Sequence, residues 1–534
     1  MNFRRKTNKL KIKFNKLLSL ILILCISTLT FSSCNFNKFI EEQYHGNSEE
    51  NEETSLEKEP VTQMTIGFDS SDGLNPLTYK KEINHYIIPL IFDSLITVDS
   101  NFMAMPSLAQ SVEVSANTCT IKLKDNIVFS DGAKLTAADV EYSINKLKSS
   151  SNVYSQKLTN IISVSKKGDT TILLNLNRAD SMFSYNLDFP IFKKDTGENQ
   201  TPVGSGRYVY EKDGSSWWLS LNKNNTQSTL IPINKIVLSP LPDNDAVLYS
   251  VKSGAIDYSF AKAASTSGYS SATGYSHCKT NNLIFLGTNN TSGIMNQTSV
   301  RQSVFSALKR NLLCSQGFAG FASGAFFPFN PFYGEYIKTS FNTSSYNEQN
   351  AISLLESSGY LFSKTDDSKY RYKDGKRLEI KLIVNTENSY KILTARMIKK
   401  QLEEVGFFVN IEEVDFETLK SKIPGNDYDI YIGEITISQN MELSSFFENN
   451  SIIKNGTDYG ELYNLYNGFK ASSQDLDKFL NEFYNQMPFI PLMFTRDIVI
   501  YSRNIDFNID PGLSDIFNNM DKWKKTAEIS SVLP

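Results

Sequence analysis

The feature that most constrains this chain is the run from Arg377 to Val414, where "RLEIKLIVN", "LTARMIKKQLEEVGF" and "FVNIEEV" follow one another. Alternating, then amphipathic, then alternating apolar patterns predict strand, helix and strand. This is a βαβ unit, with Gly406 closing its helix, and it places at least this part of the chain in the α/β class. At 534 residues the chain exceeds one hydrophobic core, which stops growing at about 250–300 residues, so two or more domains are expected. Forty per cent hydrophobic and 12% aromatic residues supply the cores, and 21% charged residues keep the surface wet.

The rest of the chain is organised around that unit. "TQMTIGF" (Thr62 to Phe68) alternates as a strand, and "SSDGLNPL" is the loop leaving it. "HYIIPLIFDSLITV" joins a helical apolar face to a strand-like end, while "TCTIKL" and "TTILLNL" alternate with period two and frame a small α+β unit reaching about Lys194. "PVGSGRYVYEKDGSSWWLSLN" predicts strand, turn and strand. From Val300 helices take over: Val300, Val304, Leu308 and Leu312 recur every fourth residue and predict one helix through Leu312, and "NEQNAISLLESSGY" ends its helix at Gly359. The tail "MPFIPLMFTRDIVIYSRNI" returns to strand, and no internal repeat is visible.

The first residues are different in kind. Seven basic side chains, from Arg4 to Lys16, precede the apolar run Leu17 to Leu29. That run is too short for a membrane span, which needs about 20 residues, so it predicts a signal peptide over residues 1–33. Losing it takes the net charge from −4 to about −11. "EEQYHGNSEENEETSLEKEP" carries eight Glu against one Lys with few apolar groups, and residues 34–60 are expected to form an acidic, extended tether. No basic patch interleaved with aromatics is present, which argues against nucleic acid as a partner. Cys119, Cys278 and Cys314 have no C-x-x-C spacing and are expected to be buried thiols.

"FSDGAKLTAADVEYS" (Phe129 to Ser143) holds two carboxylates that imitate an acid/base pair. Structural roles explain both. Thr136 and Asp139 have capping-box spacing at a helix start, and Asp131-Gly132 is a turn pair in which Gly132 supplies a positive φ. The stretch also resembles the signature of family 5 extracytoplasmic solute-binding proteins, the receptors of peptide and nickel ABC importers. It is joined in that family's order by "LNPL", "LIFDSLI", "PVGSGRY", "SGAIDY", "VRQSVFSALKR", "NAISLLESSGY", "YDI" and "PFIPLMF". Ser205 and Arg207 depart from the Thr and Pro usual in that family, and "FSSC" before residue 35 is similar to a lipobox, with Phe31 in place of Leu, implying lipidation of Cys34.

The resemblance implies a two-lobed, periplasmic-binding-protein-like clamshell (type II, class C) with a small inserted α+β domain. Its expected parts are a discontinuous first lobe (61–84, 200–285 and 498–534), an inserted domain (85–199) and a second lobe (286–497), with crossings near Leu286 and Val499. The chain is then expected to be a monomeric, lipid-anchored receptor at the outer face of the membrane, with no cofactor or metal, feeding ABC permease subunits. Its solute would be a short peptide or, alternatively, a sugar, opine or metal chelate, and a signalling-peptide receptor without import fits equally.

The resemblance further implies ligand contacts at Asn75 and in the segment after "YDIYIG". There the family's amine-binding Asp is matched by Gln439, flanked by Ser438 and Asn440. Because a buried ammonium needs a carboxylate, Glu434 is the expected substitute anchor, with Glu442 as the other choice. The rival class, an exported hydrolase, lacks G-x-S-x-G, H-E-x-x-H and P-loop patterns and has three His in all, His45, His85 and His277. Carboxylate-only glycoside chemistry stays open on inventory. His85 as a metal ligand is weighed against a packed histidine, and the aromatics of Gly317 to Gly334 are expected to pack more than to touch ligand.

Overall fold

A computed structural model describes residues 61–199, 201–241, 246–263, 273–334, 336, 346–363, 369–447, 459–506 and 509–525. The leader, Cys34 and the acidic tether lie outside the described residues. No helix among the described residues is long and apolar enough to cross a membrane.

The chain opens with β1 (Gln63–Phe68) and then builds a small α+β unit from β2 (Ala109–Ser115), β3 (Thr118–Leu123), α1 (Ala137–Ser149), β4 (Ile161–Lys167) and β5 (Thr171–Leu176). The four strands form an antiparallel sheet in the order β2-β3-β5-β4. Period two in β3 and β5 turns Cys119, Ile121, Ile172 and Leu174 to one buried face, and α1 brings Ala137, Val140, Ile144 and Leu147 into the same core. Each fully buried Ile or Leu contributes about 1.5–3 kcal/mol. Both Cys119 and Cys278 are buried thiols, pushed up to about 12 chiefly by burial, and Cys314 is a third.

The start of α1 shows what "FSDGAKLTAADVEYS" does. The Thr136 N–H donates to Asp139 Oδ2 at 2.8 Å, and the Ala138 N–H donates to Thr136 Oγ1 at 3.3 Å. Asp139 Oδ1 takes the Lys194 N–H at 2.9 Å. Asp131 accepts from the Ala133 N–H and pairs with Lys193 at 2.5 Å, while Gly132 sits at φ +86°. The two carboxylates are spent on the turn and on the helix start.

After this unit come β6 (Tyr208–Asp213), β7 (Ser216–Leu221), β8 (Lys235–Pro240), β9 (Tyr258–Ala261) and β10 (Gly274–Thr288). Gly204 and Gly206 in "PVGSGRY" precede β6, and a Cβ on either would lie 2.1–2.4 Å from the Ile91 backbone. Only glycine permits that approach, which the Gly206 N–H uses to reach Ile91 O at 2.9 Å.

The second half contains α2 (Thr298–Ala307), β11 (Ala322–Gly324), α3 (Glu348–Ser357), β12 (Glu379–Asn385), α4 (Ser389–Glu404), β13 (Phe408–Val414), β14 (Ile430–Thr436), α5 (Gly460–Ser472), α6 (Leu476–Gln486) and β15 (Phe489–Tyr501). The βαβ unit is formed by parallel β12 and β13 around α4, whose Ala395, Ile398 and Leu402 are fully buried. Gly406 closes α4 at φ +101°. Gly359 likewise follows α3 at φ +86°. The helix expected through Leu312 ends at Ala307 instead: Leu308 is extended and Leu312 is exposed. Its buried neighbour Arg310 turns inward, where Nε and Nη2 donate to Pro491 O and Nη1 to Phe305 O, a geometry a continued helix would forbid.

Eleven strands make one sheet, in the order β13-β12-β14-β10-β15-β9-β1-β8-β7-β6, with β11 paired to β15. The two long antiparallel strands β10 and β15 stand at its centre, so a single sheet runs through both lobes of an α/β clamshell. Their pairing shifts register between Lys279 and Leu283 and again between Ile284 and Phe285, opposite Pro491, which has no N–H to give the ladder.

Candidate functional site

Strand β15 is apolar except in the middle, and β10 becomes continuously apolar only from Leu283, after a polar run. "KTNN" (279–282) ends that run in β10 and "TRD" (495–497) interrupts β15, and the register pairs Lys279 with Arg496 and Cys278 with Asp497. A cavity of about 510 Å³ lies over this polar break. Glu82, Lys262 and Ala263 line it from the β9 side, and Phe318, Phe321, Asn388 and Tyr390 from the helix-rich side. Glu434, Thr436, Ser438 and Gln439, on β14 and the loop beyond it, complete the wall. A second cavity of about 430 Å³, lined in part by His85, Asp93 and Arg207, shares Lys157, Gln439 and Leu513 with the first.

The expected ligand residues divide. Glu434, Ser438 and Gln439 line the cavity. Asn75 is not in that lining: its Nδ2 donates to Gly197 O at 2.9 Å and Asn199 O at 2.8 Å, and its Oδ1 accepts from the Leu77 N–H, so its polar atoms staple two loops. Asn440 is likewise not in that lining. It is buried, donates to Asp180 Oδ2 at 2.8 Å and accepts from the Ser438 hydroxyl at 2.8 Å.

Glu434 faces the cleft, but its carboxylate already has two partners, the ammonium of Lys391 and the amide of Asn282. Burial raises its pKa, and Lys391 outweighs that, holding it below the ordinary range. Glu442 is similarly engaged, with Arg178 at 2.6 Å and the Tyr466 hydroxyl at 2.9 Å. Neither is an open carboxylate. His85 lies 2.6 Å from the Tyr79 hydroxyl through Nδ1, and burial pushes it down to about 4, so it is neutral at pH 7. No cluster of three or more metal-ligating side chains occurs among the described residues.

The aromatic stretch Gly317 to Gly334 does two things. Phe318 and Phe321 line the cleft beside Tyr390, with ring centroids 5.7 and 6.5 Å from it. Phe329 packs on Phe469 and Phe479, and Phe332 and Tyr333 pack on Phe102 of the α+β unit. Sequence reasoning missed Asn281, Asn282, Arg496 and Asp497. The signal was available: a polar interruption inside the otherwise apolar β15 and a polar run just before the apolar half of β10.

The profile of the bacterial extracellular solute-binding proteins, family 5 middle region, matches residues 104–456. The chain is 25% identical over 398 residues to the oligopeptide-binding protein AppA of Bacillus subtilis, across 69% of this chain and 72% of that protein. It is 22% identical over 379 residues to the glutathione-binding protein GsiB of Shigella flexneri, across 66% and 69%. Among solved structures it is similar to a nickel ABC transporter protein from Bacillus halodurans, at TM-score 0.71 and 18% identity over 85% of this chain and 98% of that one. It is also similar to Bacillus subtilis AppA in complex with a nonapeptide, at TM-score 0.55 and 20% identity over 88% and 100%. At these identities the structural likeness is one of fold, and it agrees with a cavity floored by the two strands that both lobes share. The chain belongs to the bacterial extracellular solute-binding proteins of family 5.

Proposed function

We propose that the chain is the exported, non-enzymatic solute receptor of an ABC importer, and that it takes a short peptide into the cleft over β10 and β15. The observation that carries this reading is the cleft itself: a cavity of about 510 Å³ walled by both lobes, in the range of small-molecule sites, with aromatic and amide side chains together. Relatives whose names record oligopeptide and glutathione binding support the peptide class. Lobe boundaries at 61–84, 200–285 and 498–534 against 286–497, and lipid anchoring through Cys34, belong to the same proposal.

Native mass spectrometry of protein purified from cells grown in rich medium tests it: co-purified peptides released on denaturation are expected. Recovery of only a sugar, opine or metal chelate would move the solute class. Small-angle scattering should show a smaller radius of gyration with ligand, the mark of hinge closure. Cys34→Ala should leave the membrane fraction; unchanged membrane association would rule out lipidation there.

A further inference from the structure

The cleft has an excess of hydrogen-bond acceptors. Asn281 is 4% exposed, and its Nδ2 donates to the Tyr333 hydroxyl at 2.8 Å. That hydroxyl in turn donates to Gln439 O at 2.8 Å, so it has no proton to give Asn281 and the amide orientation is set. Asn281 Oδ1 is left as a buried acceptor without a partner, in a residue that lines the cavity. Gln439 Oε1, also in a lining residue, is a second. Buried carbonyl groups lacking a donor carry an uncompensated desolvation penalty, which a donor-bearing ligand relieves.

Charge points the same way. Of the acidic side chains lining the cavity, Glu434 is held by Lys391, and Glu82 pairs with Lys262 at 3.0 Å. Asp497 accepts only the Ala263 N–H, at 3.2 Å, and has no ion pair among the described residues. Its neighbour Arg496 does not compensate it, because Nε and Nη2 are both directed at the Ser323 hydroxyl, at 3.0 and 2.6 Å. Burial, with Glu82 and Glu434 adding to it, pushes Asp497 up to about 6, against the opposing Ala263 N–H and Lys262. A carboxylate in this position is stabilised by a cation brought in from outside. The aromatic wall of Phe318, Phe321 and Tyr390 also suits a cation.

We propose that Asp497 is the cleft's ammonium anchor, with the side-chain carbonyls of Asn281 and Gln439 as acceptors for the ligand's remaining N–H groups. The anchor function absent at position 439 is thereby moved to the floor of the cleft, onto the strand that crosses between the lobes. This inference rests on the peptide reading above.

The test uses ligand-stripped, refolded full-length mature protein and two pools of random pentapeptides, one with free and one with acetylated N-termini, titrated calorimetrically. The wild type is expected to bind the free pool at least about tenfold more tightly, since hydrogen bonds to a charged partner are roughly twice as strong as neutral ones. Asp497→Asn, which keeps the Ala263 contact, should erase that preference, bringing the affinities for the two pools together. Equal binding of the two pools by the wild type, or a preference that survives in Asp497→Asn, overturns the inference and leaves the peptide reading standing. Binding of neither pool overturns both. Should Asp497→Asn fail to fold, the pH dependence of wild-type binding replaces it. Free-pool affinity is expected to fall about tenfold per pH unit below about 6 as Asp497 protonates, with acetylated-pool affinity flat; parallel profiles would overturn the inference.

Discussion

Asp180 Oδ1 and Lys470 Nζ lie 2.6 Å apart, with side chains 2% and 5% exposed, and they tie the α+β unit to helix α5. The pair is fully furnished: Asn440 donates to the other oxygen of Asp180, and Lys470 donates to Asn440 O at 2.5 Å. A buried pair of this kind is weak evidence of net stability, because desolvation offsets the attraction. Removing one partner is another matter. Lys470→Met should lower the urea-unfolding free energy by about 3–5 kcal/mol, and the double variant Asp180→Asn/Lys470→Met should recover most of it. A single variant within about 1 kcal/mol of wild type would show that the pair opens freely in solution.

The Thr136 cap predicts a smaller and strictly local effect. Thr136→Val removes the hydroxyl that receives the Ala138 N–H and should cost about 1 kcal/mol in thermal or chemical unfolding. Asp131→Asn should weaken the exposed link to Lys193 by at most about 1 kcal/mol. Ligand affinity is expected to be unchanged in both, and a tenfold loss in either would return these residues to the functional site.

These two cases mark what could and could not be read from residues alone. Thr136 and Asp139 are three positions apart, and the βαβ unit spans one continuous segment, so local pattern identifies them. The two partners of Asn75 Nδ2 are 122 and 124 positions away, and Asp180 meets Asn440 across 260. No periodicity reports such meetings. Glu434 was legible as a cleft residue from its place on the strand after "YDI", whereas its neutralisation by Lys391 depended on how α4 packs beside β14. In α2 the fourfold spacing of Val300, Val304, Leu308 and Leu312 was real but incomplete information. The carbonyls that Arg310 needs lie at Phe305 and on β15, and satisfying a buried guanidinium outweighed one more helical turn.

His85 gives a pH prediction with a definite sign. Its folded pKa is depressed to about 4, first by burial and then by Lys157, whereas an unfolded His titrates near 6.5. Between those values the unfolded chain binds more protons, so this residue's contribution is complete above about pH 6.5 and is lost as pH falls toward 4. The loss is at most about 3 kcal/mol. His85→Phe keeps a ring beside Tyr86 and Tyr154, so the difference in melting temperature between wild type and variant should shrink or reverse on going from pH 7 to pH 4.5. A difference that does not change with pH would mean that His85 is solvated.

Tyr333 joins stability to recognition. Its hydroxyl is the middle of the relay from Asn281 Nδ2 to Gln439 O and is held from behind by packing on Phe102 and Tyr185. Tyr333→Phe keeps that packing and removes the relay, leaving one buried donor and one buried acceptor unpaired, at a cost of about 1–3 kcal/mol each. It also releases the constraint that sets the orientation of the Asn281 amide. A freed amide can rotate and turn its NH2 rather than its oxygen toward the ligand, so the cleft loses part of its acceptor excess. The variant is therefore expected to melt earlier and to discriminate several-fold less between free and acetylated peptides in calorimetric titrations, with Asp497 untouched. Wild-type discrimination in a variant that does melt earlier would assign Tyr333 to packing alone and leave the orientation of Asn281 to its own strand.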